Sequence, residues 1–338
     1  MLDVCVVLFD DGYASTAVMP IEVFHSAGAL WSELKGERPE PRFRVTTASL
    51  DGKPVRSPYG GMHMQPQGSI ADVEHADIVI VPTSGLSLDK VIENSALQPW
   101  LRRHYEKGAY LAGVCMGAAY LAETGLLDAK RATTHWAVAD DLKRRWPKVD
   151  WRCDHILTED SRLLCSGGVT AAADVSLYLV EKLCGHEVAV QTAKALLLSM
   201  PRTHQSGYAV LPLSPPHDDD RIRQAESFVQ AHYAADLSVE KLAGSVGMSE
   251  RTFLRRFKAA TGRVPAGYLQ AVRIEAAKAI LERDNTPVQT VSLKVGYEDV
   301  SFFRTLFKRA TGMTPGEYRE RFASFNVRAP DSVDLTTV

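Results

Sequence analysis

A cysteine held between two glycines, Gly113-Val114-Cys115-Met116-Gly117, is the residue of this 338-residue chain best placed for covalent chemistry. The glycines permit a sharp strand-to-helix elbow that lifts the side chain above a sheet, and a helix N-terminus there favours the thiolate. Such a thiol could act as a nucleophile or be oxidised. The same pattern also arises where a helix must pack close to a strand and the cysteine is simply buried. Met116 follows the cysteine, so a histidine is not available next to it as a general base. His135, in Ala132-Thr133-Thr134-His135-Trp136, is a possible substitute. A lone histidine beside a sheet is more often a structural or ligand-contact residue than a base.

A second set of residues points to binding rather than bond making. The stretch from Val246 to Gly262 is echoed from Val295 to Gly312, an internal repeat of about fifty residues, too few copies for a solenoid. In each copy a short helix (Val239 to Val246 in the first) meets a glycine, Gly247 or Gly296, and then a second helix, opened in the first copy by Ser249 as N-cap. Ala243 and Ser292 are small where the paired helices must cross. Phe253, Leu254 and Phe257 form an apolar stripe that leaves Arg251, Thr252, Arg255 and Lys258 on other faces. In the second copy Phe303 and Phe307 point inward while Val300, Ser301, Arg304, Thr305 and Lys308 face outward. Thr286-Pro287-Val288-Gln289 reads as a capping box with proline at the first helical position. From Arg251 to Arg321 there are 14 Lys/Arg against 7 Asp/Glu in a chain of net charge −2, a local excess that suits a polyanion. Two such hairpins predict a DNA reader.

The elements that position the cysteine are short strands rich in Val, Ile and aromatics, Leu2 to Phe9, Phe43 to Thr47, Ile78 to Val81 and Tyr110 to Val114. Helical stretches such as Pro20 to Leu30 and Ala171 to Leu183 separate them. That order predicts an α/β doubly wound, mostly parallel sheet, followed by an all-α domain with two helix-turn-helix units. Ser206 to Asp220, with three prolines and an acidic run, reads as a linker. The expected domains are therefore 1–205, a linker at 206–220, 221–325, and a loose tail at 326–338. No apolar run is long enough to span a bilayer and Met1 to Asp10 lacks a signal-peptide pattern, so a cytoplasmic protein without membrane partners is expected. Five cysteines without a Cys-x-x-Cys pair suggest neither a disulfide framework nor a zinc site, and no cofactor or metal is expected.

Gly312-Met313-Thr314-Pro315-Gly316-Glu317-Tyr318-Arg319 closely resembles the signature ending of the AraC/XylS transcription regulators, and Gly262 to Tyr268 is its weaker first copy. This resemblance implies a long helix, Pro265 to about Leu281, holding two recognition helices in adjacent major grooves of double-stranded DNA. Base contacts would come from Arg251 and Arg255 and from Val300, Ser301, Arg304 and Thr305. Residues 1 to 200 resemble the flavodoxin-like ThiJ/PfpI superfamily, a branch of the class I glutamine-amidotransferase-like fold. There Cys115 matches the elbow cysteine, Glu22 the acidic residue that hydrogen-bonds it, and His135 a histidine near the pocket. Val81-Pro82-Thr83-Ser84-Gly85 matches the loop whose amides face the sulfur. The expected ligand pocket is thus Glu22, Gly85, Cys115, Met116 and His135. The two-domain order is similar to the GlxA-like branch of bacterial regulators, which implies a small effector, such as a nitrogenous metabolite, a homodimer and RNA polymerase as partners. A cysteine hydrolase or deglycase fused to a DNA-binding tail, and a thiol redox sensor, are the alternatives at Cys115.

Overall fold

The computed structural model describes residues 1–85, 87–200, 202–209 and 213–323. The chain divides into two compact units, Met1–Ser206 and Gly207–Val338; the tail expected beyond Phe325 lies outside the described residues.

The first unit is built on continuous apolar runs, Leu2–Leu8, Ile78–Val81 and Tyr110–Val114, of the kind that form strands covered on both faces. They belong to a seven-stranded sheet. Its order is Leu157–Asp160, Leu163–Ser166, Tyr110–Val114, Ile78–Val81, Leu2–Leu8, Phe43–Ser49 and Gly68–Ser69. Every neighbouring pair is parallel except the first, which is an antiparallel hairpin. One group of helices, Ser15–Ser26, Ala171–Cys184 and His186–Ala195, packs together. Leu97–Glu106 and Gly117–Glu123 form another beside the central strands. The helix expected from Pro20 begins at Ser15, with Pro20 inside it.

In the second unit the repeat is preserved down to ring geometry. Phe257 and Tyr268 meet edge to face at 5.4 Å and 86°, and Phe307 and Tyr318 at 5.4 Å and 85°. Thr261 donates to the Phe257 carbonyl at 2.8 Å, as Thr311 does to that of Phe307. Each motif has its own core, one around Phe253, Phe257 and Tyr268, the other around Phe303, Phe307 and Tyr318. The helix Pro265–Arg283 supplies residues to both.

Three local expectations are corrected. Leu254 is 39% exposed and does not belong to the buried stripe, which consists of Phe253 and Phe257. The helix Val288–Lys294 opens with Pro287 itself at the cap position and no side-chain cap; both the amide and the side chain of Thr286 are turned to Asp284 instead. The segment read as a linker is largely tied down. Ala209 accepts a hydrogen bond from Lys278, His217 pairs with Glu226, and Asp219 caps Asp220–His232 while pairing with Arg256.

The tightest steric constraint in the first unit lies at Gly117, where a Cβ would stand 1.8 Å from the backbone oxygen of Val81. Overpacking a well-filled interior costs about 1–3 kcal/mol when side chains can shift. Here backbone must move, so Gly117→Ala is expected to cost at least about 3 kcal/mol. Chemical denaturation of wild type and variant checks this, and equal midpoints would show that the strand-to-helix approach is looser than it looks.

Candidate elbow site and nucleic-acid interface

The strand Tyr110–Val114 delivers Cys115 to the start of helix Gly117–Glu123 in a left-handed conformation, φ 57°. Its backbone is fixed on both sides. The amide donates to the Ser166 carbonyl at 2.9 Å, and the carbonyl accepts from the Thr134 hydroxyl at 2.9 Å. The loop after Ile78–Val81 closes over the sulfur. Thr83 lies within hydrogen-bonding reach of the thiol and gives its own proton to the Gly85 carbonyl at 2.8 Å. Ser84 is held by Tyr120, which takes a further bond from Asn94 and stacks on Phe9. Gly12 approaches so near that a Cβ there would meet the Thr83 oxygen at 2.4 Å.

The elbow is therefore packed shut, with Cys115 3% and Met116 1% exposed. Burial pushes the Cys115 thiol up to about 11, outweighing its hydrogen bonds to the Met116 amide and Thr83. The expected thiolate is thereby corrected. A seven-residue helix start cannot compensate for desolvation of the charge, and the Thr83 hydroxyl proton is already committed elsewhere.

Glu22 is the second correction. Helix Ser15–Ser26 buries Thr16, Ala17, Pro20, Val23, Phe24 and Ser26, and Glu22 is exposed, with no hydrogen bond among the described residues. His135 makes no hydrogen bond to the cysteine either. Its Nδ1 accepts from the Ala137 amide at 3.1 Å, leaving the proton on Nε2, and its ring lies against Gly168. Desolvation lowers its pKa and so disfavours the imidazolium. Of the expected pocket residues, Met116 bonds the Cys115 thiol through its amide and Gly85 is linked to it through Thr83, whereas neither Glu22 nor His135 hydrogen-bonds it among the described residues. Sequence reasoning placed Thr83 and Ser84 in the loop facing the sulfur but not the side-chain bonds by which they, Tyr120 and Thr134 hold the elbow.

The second unit presents a different surface. The two recognition helices, Glu250–Thr261 and Val300–Thr311, are capped by Ser249 and Asp299 and end at left-handed Gly262 and Gly312. Each follows a turn through Gly247 (φ 64°) or Gly296 (φ 87°), and a backbone bond crosses each turn, from Met248 to Ala243 and from Tyr297 to Ser292. Arg251, Arg255 and Lys258 are exposed on the first helix, with Thr252 half-buried; Ser301, Arg304, Thr305 and Lys308 are exposed on the second, with Val300 half-buried. Neighbouring cations have structural partners, Arg256 with Asp219, Arg309 with Gln270 and Arg319 with the Thr286 carbonyl. Arg251, Arg255, Lys258, Arg304 and Lys308 have no ion pair or hydrogen bond within the described residues.

Residues 3–182 match the DJ-1/PfpI family and residues 242–321 match a helix-turn-helix domain. The chain belongs to the DJ-1/PfpI family. Its helical unit is of the AraC type, and the whole two-domain order is shared with curated relatives. The HTH-type transcriptional regulator CdhR of Pseudomonas aeruginosa is 26% identical over 82% of this chain and 82% of its own length. GlxA of Rhizobium meliloti, also an HTH-type transcriptional regulator, is 25% identical over 69% of this chain and 72% of its own. Among solved structures, Drosophila melanogaster DJ-1beta superposes with TM-score 0.50 at 24% identity, covering 59% of this chain and 98% of that one. A protein from Vibrio parahaemolyticus described as a putative transcriptional regulator gives 0.51 at 20% identity, covering 58% and 98%. These two likenesses concern the fold of the DJ-1/PfpI unit. No helix among the described residues is long and apolar enough to cross a membrane.

A thiol that ionises at about 9 when free and about 11 when folded has a definite signature. The folded state holds the proton more tightly, so the contribution is intact below pH 9 and is lost as pH rises from about 9 to about 11. Cys115→Ala is expected to flatten the alkaline fall in stability over that window, and native Cys115 should resist alkylation at neutral pH. Stability against pH and mass-spectrometric labelling check this; rapid native labelling of Cys115 at pH 7 would contradict it.

Proposed function

We propose that this chain is a sequence-specific DNA-binding transcription regulator whose DJ-1/PfpI unit receives a small effector without turning it over. The observation that carries the DNA reading is the set of unpartnered cations on the exposed faces of both recognition helices, beside arginines of the same helices that are structurally committed. Cations left free at a helix surface within a locally basic domain suit phosphates and guanine edges. The relatives' shared description as transcriptional regulators supports the same reading.

Three features support a non-catalytic elbow: an enclosed thiol whose pKa burial raises, a carboxylate turned to solvent, and a histidine whose Nδ1 accepts from the Ala137 amide rather than from Cys115. A nucleophile needs a nearby base or a lowered pKa, and Cys115 has neither. The closed elbow makes a small effector, with a nitrogenous metabolite as the class suggested by the resemblance, a passenger of this unit rather than a substrate. Cys115-dependent conversion of dicarbonyls or hydrolysis of amides by the purified full-length protein would replace this reading with the enzymatic one.

Arg251→Ala and Arg304→Ala are each expected to weaken operator binding by about 1–3 kcal/mol and to relax discrimination at particular base pairs. Lys308→Ala should weaken all DNA alike and make the salt dependence shallower. Footprinting should show two contacted segments roughly 10 base pairs apart on one face of the duplex for each chain. Quantitative gel shifts over a salt series check the substitutions, and unchanged affinity in both folded arginine variants would remove these faces from the interface.

A further inference from the structure

We propose that Asp154, His155 and His204 form a binding site for a divalent transition metal such as zinc. Their ligand atoms all lie within 4.8 Å of one another, although His204 is distant in sequence. The two histidines face each other across an isolated antiparallel bridge, with ring centroids 5.1 Å apart. Nδ1 of His155 is the telling atom. It is buried, and Oδ1 of Asp154 stands 3.0 Å away, so carboxylate and imidazole already face each other beside His204. A carboxylate oxygen and a neutral imidazole nitrogen at such a separation can both direct lone pairs at a shared cation.

The backbone beneath the ligands is held independently of their side chains. The His155 carbonyl accepts from the Thr133 hydroxyl at 2.8 Å and from the Gln205 amide at 3.0 Å; the Gln205 backbone amide donates to the Asp154 carbonyl at 2.9 Å, and that of Ile156 to the Thr203 carbonyl at 3.0 Å. Two imidazoles and one carboxylate match zinc and its neighbours rather than calcium or magnesium, which require oxygen ligands, and three protein ligands leave a coordination position open. Cys153 is adjacent in sequence, but its sulfur does not belong to the group of ligand atoms that come together here. A bound ion would cross-link residues 154 and 155 to residue 204, near the end of the unit at Ser206.

Metal-free full-length protein titrated with Zn²⁺ against a chromophoric chelator should bind one ion per chain and melt at a higher temperature when loaded. His204→Ala and His155→Ala should each weaken binding at least about tenfold. His75→Ala, in the separate group Asp3, His75 and Asp77, should leave this site unchanged. If His204→Ala fails to fold, Asp154→Asn and His155→Gln carry the test, since they preserve size and the backbone bonds. With Co²⁺, a visible ligand-field band without sulfur-to-metal charge transfer is expected. Absence of a stoichiometric site, full Zn²⁺ affinity in folded His204 and His155 variants, or a thiolate charge-transfer band would overturn the proposal.

Discussion

One helix belonging to two hydrophobic cores is the constraint on which the helical unit depends. Pro265–Arg283 gives Tyr268 and Val272 to the first core and Ile274, Ala277 and Leu281 to the second. Its apolar residues therefore cannot lie on a single stripe, and the helix is buried from several sides. At 1.5 Å of rise per residue, Tyr268 and Leu281 are about 20 Å apart along a stiff rod, which fixes one reader relative to the other. Arg273 reinforces the joint. Its guanidinium donates to the carbonyls of Tyr233 and Ala235 and lies 4.9 Å from the ring centre of Tyr297 in the second motif. Lys278, 5% exposed, adds a buried cation satisfied by Glu275 and the Ala209 carbonyl. A substitution within this helix would thus disturb both readers, whereas one on an outward face would disturb a single contact.

The DJ-1/PfpI unit is governed by a different close approach, and its chemistry follows from that packing. Strand and helix meet at Gly113 and Gly117 only because neither carries a Cβ; the same closeness sets the Val81 and Pro82 carbonyls against the helix start beside the cysteine. Excluding water there stabilises the fold and raises the thiol pKa together. An elbow open enough to favour a thiolate would have to surrender contacts that the buried sheet supplies. Stability and reactivity are opposed at this position, and the chain has taken the former.

Gln205 connects the elbow with the far end of the same unit. Fully buried, it donates to the Thr134 carbonyl at 2.7 Å and to the His155 carbonyl at 3.0 Å, while the Thr134 hydroxyl holds the Cys115 carbonyl. Gly167 is the residue that makes room, since a Cβ there would meet the Gln205 side chain at 2.8 Å. The Cys115 carbonyl and the segment that ends the unit are thereby joined through Thr134 by direct hydrogen bonds.

The sequence carried some of this plainly and some of it not at all. The repeat, its glycine turns and the buried Phe253, Phe257, Phe303 and Phe307 were legible because a period of 3.6 and a fixed turn chemistry leave few alternatives. The network of Gln205 was invisible, because hydrogen bonds between residues some 70 positions apart leave no local pattern. Leu254 is apolar but off the inward face, which Phe253, Phe257 and Thr261 complete. Glu22 is the instructive case. Thr16, Ala17, Pro20, Val23 and Phe24 follow the i, i+3, i+4 spacing of an inward face, and Glu22 falls roughly 180° from its centre at 100° per residue. The helical period alone would have placed that carboxylate in solvent. Local geometry was the stronger guide there, and it argues that the acid-assisted thiol of the resemblance cannot be assembled from Glu22 without unwinding the helix that carries it.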